Sequence, residues 1–75
     1  MISEHDQVVV LEDPVELPVR AGDVGTVVHV YEAAKAFEVE FVSLNGKTIG
    51  TATMTSGKVR ASLEGEIAYA RLIAA

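Results

Sequence analysis

The sequence predicts a small all-β domain, and three observations carry that expectation. Phe37-Glu38-Val39-Glu40-Phe41 alternates apolar and acidic side chains with the period of two expected of a strand that buries one face. β-Branched residues, which suit a pleated, half-buried surface, cluster at Val8–Val10, Thr26–Val30 and Thr48–Thr53. Turn formers punctuate these runs, with Gly22 and Gly25 flanking Asp23 and the dipeptide Asn45-Gly46 further on.

Taken in order, Val8 to Leu11 reads as the first strand, stopped by Glu12-Asp13-Pro14. Residues 12 to 21 contain Pro14 and Pro18 and no periodic pattern, so they are expected as an extended loop crossing the barrel. In Ala21-Gly22-Asp23-Val24-Gly25 the glycines permit positive φ and close backbone approach, as a sharp turn into a bent strand requires. The second strand, Thr26 to Tyr31, places Val27, His29 and Tyr31 on one face and Val28 and Val30 on the other. In the third, Phe37, Val39 and Phe41 point inward and Glu38 and Glu40 outward. Asn45-Gly46 is favoured in type I′ hairpin turns and should join this strand to a fourth at Thr48–Thr53, where Gly50 marks a bulge or corner. After Thr55-Ser56-Gly57, Val59-Arg60-Ala61 forms a brief fifth strand. The tail from Glu64 alternates Ile67, Tyr69, Arg71 and Ile73 with Ala68, Ala70 and Leu72; its reading is an added strand, with a short helix as the alternative that its alanine content favours. The elements compose a five-stranded barrel of the SH3-like kind with a short C-terminal extension, one domain over residues 1–75.

Size and composition narrow the functions. A 75-residue chain without cysteine has neither disulfides nor thiolate chemistry. It buries about 60 to 65% of its unfolded surface, so oligomerisation becomes a candidate source of extra stability. No apolar run approaches the roughly 20 residues of a membrane helix. The start Met-Ile-Ser-Glu-His-Asp lacks the basic and apolar stretches of a secretory signal, and the expected location is a bacterial-type cytoplasm. The net charge of −5 divides into −7 over residues 1 to 40 and +2 over residues 41 to 75. Phosphate contacts need a basic stripe, so nucleic acid is not an expected partner and a basic or mixed-charge protein is.

No catalytic constellation emerges. The two histidines, His5 and His29, lie in no nucleophile or zincin motif. His5, Asp6 and His29 have the chemistry of a metal site, but the plainer reading of His29 is a surface strand residue. Glu38 and Glu40 read as a solvated face rather than an acid/base pair, and Glu40 is placed to pair with Arg60 or Arg71. The Gly-Asp-x-Gly turn precedes a strand instead of a helix, so it is no phosphate cradle; Asp23 should hydrogen-bond its own turn. Phe37 and Phe41 belong to the core, which leaves Tyr31 and Tyr69 alone to line a peptide groove. No cofactor is expected.

Asp6, Val8 and Val9, the Ala21–Val27 turn, the strand ending Val39-Glu40-Phe41, Val59-Arg60 and the late Glu66-Ile67-x-x-x-Arg71 together resemble the bacterial domain-of-unknown-function family 4926. The resemblance implies an SH3-like barrel without an established enzymatic role. It implies small stand-alone proteins, some encoded beside another uncharacterised gene in an arrangement suggestive of toxin and antitoxin. Tyr69 stands where such proteins often carry histidine. The functional expectation is a non-enzymatic interaction module, antitoxin-like or accessory to a co-encoded protein, offering Glu12, Asp13, Glu16, Glu38 and Glu40 to its partner. A self-assembling homo-oligomer is the alternative, and a metal-binding or enzyme subunit ranks below it.

Overall fold

A computed structural model describes residues 1–73. Its five antiparallel strands are β1 (Gln7–Val10), β2 (Val24–Val30), β3 (Ala36–Val42), β4 (Thr48–Thr55) and β5 (Val59–Ala61), and they form one sheet in the order β4-β3-β2-β1-β5. Strands β4 and β5 are the two edges of that order, yet a single 3-10 turn, Ser56–Lys58, joins them, so the sheet must curl upon itself. No ladder closes β4 onto β5 among the described residues, and the open, curled sheet is compatible with a small SH3-like barrel.

The period of two decides what the curl encloses. Val8 and Val10 of β1, Val27 of β2, Phe37, Val39 and Phe41 of β3, Ala52 and Met54 of β4, and Val59 of β5 are buried in one cluster. Full burial of such side chains contributes about 1.5–3 kcal/mol each, which makes this cluster the main source of stability. Residues 11–23 cross the barrel as the expected loop. Its Val19 is buried, and Leu17 packs from the inside where Gly50 faces Phe41. A Cβ on Gly50 would sit 2.8 Å from Leu17 Cδ2, and the register slips beside it between Phe41 and Val42; the anticipated bulge is present.

Three local expectations change. Gly25 is buried inside β2 and does no turning; a Cβ there would lie 2.5 Å from Val39 Cγ1 and 2.7 Å from Phe41 Cε1, so glycine is needed for close packing. Gly22, with φ +96°, is the turn residue. The β3–β4 hairpin closes through Ser43 N–H to Lys47 O (2.8 Å) and Gly46 N–H to Ser43 O (2.9 Å). Positive φ is confined to Gly46 in this loop, so it is longer than a two-residue type I′ turn, which requires positive φ at both central positions. The C-terminal extension is neither strand nor helix up to Ile73. Side-chain ion pairs hold it to the barrel.

Candidate functional site

The outward side chains of β2, β3 and β4 build a polar face. A bulge at Val28 shifts the β2–β3 register, so His29 lies opposite Glu38 while Val27 and Val30 both remain inward. The expected single face for Val27, His29 and Tyr31 is thereby broken: one extra residue turns His29 and Tyr31 out beside Glu38. Glu38 stands half-buried at the centre. Its Oε1 accepts from Thr53 Oγ1 (2.6 Å) and from the Tyr31 hydroxyl (3.0 Å). These donors, led by Thr53 and joined by Thr51 and the His29 charge, hold its carboxyl below the usual range against the opposing effect of burial. The His29 ring meets Tyr31 edge-on with centroids 4.6 Å apart, and its Nδ1 lies 3.9 Å from Glu4 Oε2. Glu40, opposite Thr26 and Thr51, extends the same face.

A carboxylate kept ionised by two hydroxyl donors is a fixed negative charge, unsuited to shuttling protons near neutrality. Its surroundings suit a cation, since Glu4, Glu38 and Glu40 supply negative charge. No group of three or more metal-capable side chains assembles among the described residues. His5 is anchored through its backbone, donating N–H to Val27 O (2.7 Å), while His29 is paired with Glu4.

The loop acids are elsewhere and have other duties. Asp13 Oδ1 accepts the Ala21 N–H (2.7 Å) and pins the loop, Glu12 lies 4.0 Å from Lys58, and Glu16 is exposed. The five nominated acids thus divide between the loop and the β3 face. Asn45 and Gly46 sit at the hairpin tip, with the Ser43 hydroxyl bonded to Asn45 Oδ1.

Asp23 does accept from its own turn, through Arg20 N–H (2.8 Å), but its main partner lies 48 residues away. Arg71 Nε donates to Asp23 Oδ1 (2.9 Å), and Nη2 donates to Asp23 Oδ2 and to Pro18 O (3.1 Å). Burial pushes the Asp23 carboxyl up, and the hydrogen bonds and charges of Arg71 and Arg20 outweigh it, leaving it below the ordinary value. Arg60 makes a bidentate pair with Glu66 (2.9 and 2.7 Å), which also accepts the Leu63 N–H (2.6 Å) and is drawn down to about 2. Neither arginine pairs with Glu40 as the sequence suggested: β2 and β1 lie between β3 and the β5 strand that carries Arg60, and Arg71 is held at Asp23. Beside the Arg71 clasp, the tail and the β3–β4 hairpin border a cavity of about 540 Å³.

The segment from the N-terminal bend through the last strand is the part that matches a known family. Residues 4–61 fit the family described as Domain of unknown function (DUF4926). The chain belongs to this family. The DUF4926 match includes the Glu38 face and Asp23 and stops at the end of β5, so Glu66 and Arg71 lie beyond it. No curated protein and no solved structure matches the chain. The match carries no enzyme-family assignment, and no helix among the described residues is long and apolar enough to cross a membrane.

Proposed function

We propose that this DUF4926 domain is a non-enzymatic interaction module that presents the outer face of β2–β4 to a basic segment of a partner protein, in the first instance one encoded beside it. The observation that carries the reading is Glu38, ionised by the Thr53 and Tyr31 hydroxyls at the centre of an acidic face. Charge placed on rigid strands, with side chains already oriented, lowers the ordering cost of binding and favours fast association with an oppositely charged surface. The net charge of −5 favours the same class of partner.

Affinity purification from the native host, with wild-type chain and the double variant Glu38→Gln/Glu40→Gln in parallel, tests this. A partner retained at low salt by the wild type, released by added salt and lost in the double variant is expected. Recovery of only the free protein, or equal retention by both, refutes the reading. Self-assembly has a specific candidate in the edge of β4, whose residues Thr48–Thr55 carry no charge and, among the described residues, pair only with β3. Light scattering that gives a monomer at high concentration removes it.

A further inference from the structure

The tail is bound to the barrel as a ligand would be. One guanidinium meets three acceptors outside the tail, both Asp23 oxygens and the Pro18 carbonyl, at the edge of the 540 Å³ cavity. Asp23 is set for this by its own backbone, since the Arg20 N–H bond orients the carboxylate whatever binds beyond it. Val24, Phe41, Val42, Leu44 and Ile49 contribute an apolar lining to the cavity. Ala68 to Ile73 form one wall of the cavity, yet Leu72, immediately after the clasp, is 94% exposed and buries little against that lining. An arginine receptor with an adjoining apolar cleft is therefore engaged at its charged end and poorly filled at its apolar end.

We infer that this cleft is a docking site for an extended partner segment bearing an arginine followed by apolar side chains, and that residues 62–73 are an intramolecular competitor for it. The planar guanidinium is specified by bidentate geometry, which a lysine cannot reproduce. The occupant comes from another protein and not from a second copy. A second copy offers the same tail sequence, and the tethered tail outcompetes it through its higher effective concentration. Two chains of charge −5 also repel. A foreign segment prevails by filling the apolar cleft better than Leu72 and Ile73 do. The site is separate from the Glu38 face, so it stands or falls independently of the function proposed above.

The probe is the N-acetylated, C-amidated peptide Ala-Tyr-Ala-Arg-Leu-Ile, titrated into full-length protein and followed by backbone amide shifts. Wild type should bind it weakly, because the cis tail holds the site. Arg71→Ala should bind at least about tenfold more tightly, with shifts at Asp23, Val24 and Val42, since the competitor is then released. Replacing the peptide arginine by citrulline, a neutral near-isostere, should abolish binding to Arg71→Ala; this arm does not depend on a second variant folding. Equal affinity of wild type and Arg71→Ala, unchanged binding of the citrulline peptide, or shifts confined to the Glu38 face would each overturn the inference. Glu38→Gln in the Arg71→Ala background should leave the affinity unchanged, which distinguishes this site from the acidic face.

Discussion

The barrel and the tail are held by different physics. In the barrel, Val8, Val27, Val39 and their neighbours are dry and interlocked, and their contribution depends little on salt or on the titration of any group. From Ser62 to Ile73 almost every residue is exposed, and attachment rests on Arg60–Glu66 and Arg71–Asp23. Apolar burial fixes the strands collectively; ionic clasps fix the tail at two points that can let go separately. A small domain can thereby keep a constant scaffold and a releasable segment within one chain.

The largest effect should come from the barrel side. Phe41→Ala removes a buried ring and should cost about 3–5 kcal/mol in urea unfolding, enough to threaten the fold of so small a chain. Gly25→Ala, through its clash with Val39 and Phe41, should cost about 1–3 kcal/mol with the secondary structure unchanged at low denaturant. Both losses should be similar at low and high salt; strong salt dependence would erase the contrast.

Acid should act on the tail instead. Asp23 and Glu66 have folded-state values below their unfolded ones, so their contribution is complete above the unfolded value and is lost as pH falls through the folded value. For Glu66 the window runs from 4.5 down to about 2. Amide shifts of residues 66–73 should move in that range in the wild type, while in Arg71→Ala the Asp23-linked part of the change should vanish. Arg71→Ala itself should accelerate proteolysis within residues 62–73 by roughly tenfold and barely move the urea midpoint of the barrel. Smallest of all, Lys58→Ala removes an exposed 4.0 Å pair with Glu12 and should change stability by less than about 0.5 kcal/mol.

The same division explains what could be read from the sequence. The alternation in Phe37–Phe41, the run at Val8–Leu11 and the short Val59–Ala61 are local patterns, and each emerged as a strand, the second ending at Val10; in the first, Phe37, Val39 and Phe41 are buried as expected. Gly25 carried the right signal, an unusual glycine, but its cause lies across the sheet in Val39 and Phe41. The bulge at Val28 adds one residue and no compositional mark, so the facing of His29 and Tyr31 could not be read from alternation. Asp23 and Arg71 were both visible as charged residues, yet a pairing across 48 positions leaves no periodic trace. Glu38 was placed outward correctly, whereas its hydroxyl donors come from Tyr31 before β3 and Thr53 on β4.

The three-residue turn Ser56–Lys58 has one more consequence, for the order of assembly. Strands β2, β3 and β4 pair with sequence neighbours and can zip locally, but β5 must find β1 across about two thirds of the chain, Val59 against Val10. Loop-closure entropy makes that pairing the late step. Because the turn leaves β4 almost no slack before β5 begins, the meander delivers β5 close to its berth once it has formed, and the long search is shortened to the docking of one short strand.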